Sequence, residues 1–413
     1  MKQGWEIKQL GDVCGFVRGP FGGSLKKSIF KKSGYAVYEQ QHAIYNQFSE
    51  IRYFVDENKF KEMKRFELKP NDLIMSCSGT MGKVAIVPAG IKKGIINQAL
   101  LKLTCSGKLN VEYLKLWMDS PQFTKELQKN TVGAAIKNVA SVKILKTIPI
   151  PLPALPEQQR IVSILDECFA AIAKAKANAE QNLKNAKELF ESYLQGVFDP
   201  STRSRQGQSD GWKEKKLGEV AEYDKNQSIH KGLPYVGLEH IESNSGKFLG
   251  SLEPQEVKSS TFHFDEHHVL YGRLRPYLNK VLLPDFEGHC STEIFPIKVQ
   301  KEILREFLFY WLIASSTVKK INATWTGARM PRANMNQVLE FDFAFPSLKE
   351  QQTIVRQLDT LRAETQKLEA VYQKKMDDLE ELKKSILQKA FAGELPLRQA
   401  GLETEKATES LKA

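Results

Sequence analysis

The sequence predicts an α+β fold made twice: two mixed α/β globules, each followed by a long α-helix, the two helices pairing as an antiparallel coiled coil. Three observations predict it. The chain repeats internally. Each repeat passes from short strand-like runs to one long helical pattern. Its 413 residues exceed a single ordinary domain.

The repeat is read from its anchors. Residues 5–13, WEIKQLGDV, return at 212–220 as WKEKKLGEV, an offset of 207. Asp72 to Ile74, followed by Gly82 to Val84, returns as Val269 to Tyr271, followed by Asn279 to Val281. Gly133-Ala134 returns as Gly327-Ala328. EQQRIV at 157–162 returns as EQQTIV at 350–355, and Leu165-Asp166 and Leu194-Gln195 return as Leu358-Asp359 and Leu387-Gln388, an offset of 193. A shared plan with insertions and deletions between anchors explains the change of offset.

Segments 1–156 and 212–349 are the globules. They hold β-rich runs such as 84–87 and 281–283, broken by Gly, Pro and Asn. They also hold amphipathic patterns over 111–118 and 304–311. Segments 157–198 and 350–393 are the helices. In the first, apolar or small residues recur at Ile161, Leu165, Cys168, Ile172, Ala175, Ala179, Ala186, Leu189, Tyr193 and Val197. In the second they recur at Ile354, Leu358, Leu361, Thr365, Leu368, Tyr372, Met376, Leu379, Leu382 and Ile386. Steps of three and four define a coiled-coil seam. Ser347 and Glu350 are spaced as a capping box, and Pro156 suits a first helical turn. Asp199-Pro200 and Gly393 are stops. Each rod would span roughly 60 Å. The two seams can bury each other, and either can also dock another protein. Residues 199–211 read as a polar linker and 394–413 as a flexible tail.

The net charge is +11. Residues 1–156 carry 24 Lys and Arg against 12 Asp and Glu, while residues 212–349 carry 18 against 17. The excess therefore sits in the first globule, where a polyanion would release counterions on binding; solubility alone is the plainer use. The five cysteines are odd in number and widely spaced, which fits a reduced, cytoplasmic protein and neither a disulfide frame nor a zinc site. There is no apolar run of membrane-spanning length and no signal-peptide pattern at the start, so no membrane partner is expected. The opening anchor at Trp5 argues against a truncated fusion.

Enzyme signatures are missing. There is no GxxxxGK[ST] loop, no GxGxxG and no Asn-Pro-Pro-aromatic motif. His263, His267 and His268 lack a metal-site pattern, and Phe262 and Phe264 around His263 alternate as in a strand. Asp285, Glu287 and Lys298 have the wrong spacing for a nuclease. No catalytic residue, metal ligand or cofactor is expected in this chain.

Loops rich in glycine, polar and basic residues read instead as surfaces that approach a nucleic acid. One holds Arg18, Ser24, Lys26 and Lys27. A second holds Ser78, Thr80 and Lys83, and its counterpart holds Arg273, Arg275, Tyr277, Asn279 and Lys280. A third holds Lys137 and Asn138, facing Arg329, Arg332 and Asn334. Arg can fork onto guanine and Asn onto adenine. Each loop alone could be a solvated turn. Together, constant anchors flank variable polar content, as in two readers of two different sequences.

The plan globule–helix–globule–helix, with W-x5-L-G-[DE]-V opening each half, resembles the specificity subunit of type I restriction-modification systems. The helix starts at 153–162 and 346–355 and the helix ends at 194–198 and 387–391 carry the same resemblance, which extends over residues 5–393. It implies two target recognition domains that read a bipartite, asymmetric site in double-stranded DNA, and helices that act as a ruler. It also implies docking of two methyltransferase subunits and of restriction/translocase subunits, with S-adenosylmethionine, ATP and magnesium held by those partners. Glu157, Gln158, Gln159, Ile161 and Leu165, with Glu350, Gln351, Gln352, Ile354 and Leu358, are the expected docking and spacer residues. The near-neutral second globule departs from a strongly basic reader. The alternatives are an orphan specificity subunit serving modification only, or a structural coiled-coil adaptor without DNA specificity.

Overall fold

The computed structural model describes residues 4–20, 22–78, 80–129, 142–199, 211–224, 226–327 and 329–395. The chain divides into two units, one of Met1–Asn178 with Lys375–Ala413 and the other of Ala179–Lys374.

The first unit begins with β1 (Glu6–Gln9), α1 (Leu10–Val13) and β2 (Cys14–Arg18), followed by β3 (Tyr35–Tyr38), α2 (Gln40–Tyr45), β4 (Tyr53–Val55) and α3 (Glu57–Glu62). Strands β5 (Leu73–Ser76), β6 (Val84–Ile86), β7 (Gly94–Ile96) and β8 (Leu100–Cys105) follow. Then come α4 (Val111–Met118), α5 (Pro121–Lys129), α6 (Val142–Thr147), β9 (Pro149–Leu152) and the long α7 (Leu155–Phe198). The central sheet has the order β2-β8-β5-β6, all antiparallel. Its Leu73, Met75, Leu101 and Leu103 pack on Tyr113, Leu114 and Trp117 of α4, while Ile74 and Ala85 pack on Tyr38 and Ile96 of a second sheet, β4-β3-β7.

The opening motif has a physical explanation. β1 pairs antiparallel with β9, so the motif closes the globule onto the start of its helix. Leu10 and Val13 are buried, and Asp12 accepts from the Gln9 amide at 3.2 Å. A Cβ on Gly11 would lie 2.9 Å from the Lys146 Cβ, so only glycine lets α1 sit on α6. The second unit repeats this with Leu217, Val220, Glu219 on the Lys216 amide at 3.1 Å, and Gly218 against Leu339.

The second unit holds β10 (Lys213–Lys216), α8 (Leu217–Val220), β11 (Ala221–Tyr223), β12 (Gln227–Ser228), β13 (Tyr235–Val236), β14 (Thr261–Phe264) and β15 (His268–Gly272). After them come β16 (Val281–Leu282), β17 (Gly288–Cys290), β18 (Ile294–Val299), α9 (Arg305–Ile313), α10 (Ser315–Ala323), α11 (Met335–Leu339), β19 (Asp342–Phe345) and α12 (Leu348–Ala392). Its central sheet, β11-β18-β15-β16, repeats the first in order and direction. The companion sheets differ. Both contain one parallel pair, β3 with β7 and β13 with β17. The first adds β4 beside β3, whereas the second adds β14 beside β17. His263 lies in β14 and pairs across to His289, as the strand reading required.

The middle glutamine of each EQQ run is a clasp. Gln158 is fully buried; its Oε1 accepts from the Asn110 amide at 2.8 Å, and its Nε2 donates to the Lys108 and Pro153 carbonyls at 3.0 and 2.8 Å. Gln351 does the same with the Leu304 amide and the Glu302 and Pro346 carbonyls, all at 2.9 Å. Each helix is thereby bolted to the loop that opens α4 or α9. The LQxxF run at each helix end is a second fastening. In the first unit Leu387 and Phe391 of α12 are buried, with the Phe391 ring edge-on to Tyr113 at 5.3 Å. In the second unit Leu194 and Phe198 of α7 are buried, Phe198 lies 5.2 Å from Phe307, and Gln195 Oε1 accepts from the Ser316 amide and the Ser315 hydroxyl at the start of α10.

Within each unit the two long helices run antiparallel. In the first, Lys176 reaches Glu380 at 2.6 Å and Lys383 lies over the Phe169 ring. In the second, the Tyr193 hydroxyl donates to Gln357 at 2.9 Å. The seam differs from expectation at four positions. Leu189, Tyr193, Leu368 and Leu382 are exposed, and Phe190, Leu194 and Phe198 face inward instead. Beyond Ala186 the helix packs on a globule, so its buried stripe follows steps of four toward Phe307 and Tyr310 and leaves the coiled-coil frame.

Candidate nucleic-acid interface

Two of the anticipated loops of the first unit leave the same end of the central sheet. β2 ends at Arg18 opposite Leu101, and β5 ends at Ser76 opposite Leu100. Gly19 bonds to the Leu100 carbonyl, and a Cβ there would fall 1.8 Å from the Asn97 oxygen, so the chain turns where no other residue fits. Arg18 is half-buried, Ser24 is half-buried on a short helical turn, and Lys26 and Lys27 are exposed beside it. The second loop is pinned from within. The buried Ser76 hydroxyl donates to the Thr80 carbonyl at 2.6 Å and accepts from the Lys83 amide at 3.0 Å. Ser78 donates to Gln40 at 3.3 Å, and Thr80 and Lys83 are exposed. Lys137 and Asn138 lie outside the described residues. One lysine of the basic segment is unavailable: Lys102 is buried, donating to the Glu67 carbonyl at 2.6 Å with Asp72 at 3.9 Å.

In the second unit the two matched loops are stitched into one surface. The Arg275 amide donates to the Pro331 carbonyl at 2.7 Å, the Ala333 amide to the Arg273 carbonyl at 2.9 Å, and Leu274 bridges to Arg332. Beneath them lies a carboxylate that sequence reasoning missed. Glu293 accepts from Arg273 at 3.0 Å and, in a two-pronged contact, from Arg332 at 2.7 and 2.9 Å. Partial burial alone would raise the Glu293 pKa, but the hydrogen bonds and charges of Arg332 and Arg273 outweigh it and hold the carboxyl below its ordinary value. Nothing in the local sequence marks Glu293; only the chain crossing under the loops reveals it.

This brace sorts the anticipated residues. Arg273, also over the Phe295 ring, and Arg332 are engaged by Glu293. Asn279 is buried, in a left-handed conformation, and donates to the Ile313 carbonyl at 3.2 Å. Lys280 donates to the Leu238 and Ile241 carbonyls at 2.6 and 2.8 Å. Asn334 caps α11 by accepting from the Gln337 amide. These five are architectural, because each spends its polar group on the protein. The outward set is Arg275, Tyr277 and Arg329, joined by Trp325 and Met330, which sequence reasoning passed over. Tyr277 is 49% and Trp325 55% exposed. Among the described residues Arg275 and Arg329 have no ion-pair partner. Arg275 itself has φ +52°, a strained conformation for a side-chain-bearing residue, held by the flanking bonds. Two free guanidinium groups and two exposed aromatic faces, carried by the same pair of loops, can bond phosphates or base edges and stack on bases.

The anticipated docking residues divide likewise. Gln158, Ile161, Leu165, Gln351 and Leu358 are buried in their own units and cannot meet another chain, because clasp and core consume them. Gln159 and Gln352 are exposed, Glu157 is paired with Arg160 at 2.6 Å, and Glu350 and Ile354 are half-buried. Among the described residues no cluster of His, Cys, Asp and Glu is arranged to hold a metal, and no helix is long and apolar enough to cross a membrane.

Comparison with known proteins adds a second line of observation. A family model described as the type I restriction modification DNA specificity domain matches residues 2–184 and 209–375. The type I restriction enzyme EcoDI specificity subunit of Escherichia coli is 26% identical over 302 residues, covering 66% of this chain and 67% of that protein. The MjaVIII specificity subunit of Methanocaldococcus jannaschii is 23% identical over 422 residues, covering 95% and 93%. A solved chain, from work on complex assembly and conformational transition of the type I R-M system, superposes with a TM-score of 0.76 at 17% identity, covering 95% of this chain and 99% of that one. The HsdS subunit from Thermoanaerobacter tengcongensis gives 0.60 at 17% identity, covering 96% and 98%. At such identity the two structures speak to the fold alone.

Proposed function

The chain belongs to the type I restriction modification DNA specificity family, and on that premise we propose that its two units read the two halves of a split, asymmetric DNA target. A specificity subunit supplies recognition, and catalysis belongs to other subunits of the system. The observation that carries the two-reader proposal is the repeated central sheet with unlike loops at matched positions. Ser76 to Lys83 is a small polar loop, whereas Arg273 to Lys280 is an arginine and tyrosine loop braced by Glu293. The same scaffold presenting different chemistry suits recognition of two different sequences.

The long helices serve, in this proposal, as the spacer between half-sites and as the platform for two methyltransferase subunits and for restriction/translocase subunits. Those partners would hold S-adenosylmethionine, ATP and magnesium. The exposed apolar side chains of Leu189, Leu368, Val371 and Leu382 and the outward Gln159 and Gln352 support the platform role. The test is a swap of residues 212–345 for those of another family member, read as the methylated motif of cells expressing the chain with its partners. One half of the motif should change while the other stays. A change in both halves, or in neither, refutes the modular reading.

A further inference from the structure

We propose that Cys14 and Cys105 form a redox-active thiol pair, a site at which peroxides close a cross-strand disulfide inside the first unit. The two residues are direct partners at the end of the β2–β8 ladder. Antiparallel ladders alternate between pairs that exchange backbone hydrogen bonds and pairs that do not. The Ser106 amide donates to the Val13 carbonyl at 2.8 Å, and the Gly19 amide donates to the Leu100 carbonyl at 2.9 Å. Val13–Ser106 and Gly19–Leu100 thus belong to the bonding set, which places Cys14–Cys105 in the alternate, non-bonding set. There the Cα atoms approach to about 4.5 Å and the side chains are at their closest. That lies within the roughly 4.4–6.8 Å a disulfide accepts.

The two thiols act on each other across the ladder, and they are not equivalent. Cys14 is buried, while Cys105 is only partly so. The neighbouring Cys14 thiol favours the Cys105 thiolate, which is also the more exposed of the two, while Cys105 and burial push the Cys14 thiol up. Cys105 is therefore the attacking thiol and Cys14 the resolving one. The Cys105 thiolate attacks one oxygen of hydrogen peroxide, the O–O bond breaks, and the departing hydroxide takes a proton to become water. Cys105 is then a sulfenic acid. Cys14 sulfur attacks the Cys105 sulfur, the S–O bond breaks, and the Cys14 proton leaves with the hydroxyl as a second water. Two thiols lose two electrons in total, and one peroxide becomes two waters. Cys77 and Cys290 are buried within the cores of their units, and Cys168 lies on α7. The bond would fix edge strand β2 four residues before Arg18 and the basic loop that follows it.

The test uses the purified full chain. It is treated with hydrogen peroxide, its remaining thiols are blocked with N-ethylmaleimide under denaturing conditions, and its peptides are read by mass spectrometry. The expected product is a Cys14–Cys105 linked peptide pair, two mass units lighter than the free thiols, reversed by dithiothreitol, with Cys77, Cys168 and Cys290 blocked as thiols. In Cys14→Ser, Cys105 should instead accumulate as sulfinic and sulfonic acid. The proposal is overturned if wild-type Cys105 over-oxidises while Cys14 stays a thiol, if it links to another cysteine or another chain, or if both remain blocked. The wild-type measurement decides the matter even if the variant fails to fold.

Discussion

Replacing Gln158 by methionine tests the clasp directly. Methionine has about the same length and leaves little cavity, so the change isolates the amide. Three hydrogen bonds are lost at once, at 2.8, 3.0 and 2.8 Å. Each contributes about 1 kcal/mol net, so the three together come to about 3 kcal/mol. A loss of about 3 kcal/mol follows. For a unit of roughly 200 residues, each kcal/mol moves the melting temperature by about 2–4 °C, so a drop of about 6–12 °C is expected. Calorimetry reads the total, and hydrogen exchange reads the place. Amides near Asn110 and at the start of α7 should lose protection, while those near Leu304 at the Gln351 clasp should not. Gln351→Met should give the converse map. The neighbouring Gln159→Ala should leave the melt unchanged, because its side chain is exposed. A melt within 1 °C of wild type with unaltered exchange at Asn110 would refute the clasp and return Gln158 to a docking role.

The other expectations concern recognition. Glu293→Gln removes the charge that Arg273 and Arg332 share, and should weaken DNA binding with the overall melt nearly unchanged. Because the Glu293 carboxyl is held below its ordinary value near 4.5, the brace is complete above that pH and is lost as the pH falls through the lowered value. Protection of the Arg275 and Ala333 amides, measured against the intrinsic exchange rate at each pH, should fall over that acidic window and stay flat above it. Arg275→Ala and Arg329→Ala should each weaken binding. A phosphate contact would lower the slope of log affinity against log salt by about 1, while a base contact would relax the motif at one position at a cost of about 1–3 kcal/mol. Four residues inserted after Ala177, matched by four near Glu380 on the facing helix, should keep the seam and lengthen the spacer by roughly 6 Å. The methylated motif should then keep its bases and gain one or two base pairs in the gap; an unchanged gap in an active complex would assign spacing to something else. The isolated chain should transfer no label from S-adenosylmethionine to DNA, and robust transfer would contradict its non-catalytic role.

The repeat, both long helices and their starts were legible because they rest on periodicity and caps, which are local. The Glu350 amide does donate to the Ser347 hydroxyl at 3.4 Å, and Gly393 does take a positive φ at the helix end. The recognition loops were legible as segments but not as side chains. Asn279 and Lys280 look as free in the sequence as Arg275, and only the Ile313, Leu238 and Ile241 carbonyls, 34 to 42 residues away, turn them inward. Gln158 was misplaced for the same reason. A polar residue on a helix reads as solvated until the loop it fastens, 48 residues earlier, is known. Trp325 escaped notice because an aromatic residue suggests core, and exposure follows only from the loop that carries it.

The first unit is assembled from segments that leave the ribosome far apart in time. Residues 179–374 are contiguous and can complete their own core, but Tyr113, Leu165 and Ile161 share theirs with Leu387, Ala390 and Phe391. At about 5–20 residues per second, the intervening stretch of nearly 200 residues takes roughly 10–40 s to synthesise. For that interval the nascent first half carries an uncovered apolar groove along α4 and the start of α7. Translation speed and chaperone capture during those seconds therefore act on the first unit, and a chain that stops before residue 387 leaves that unit unfinished.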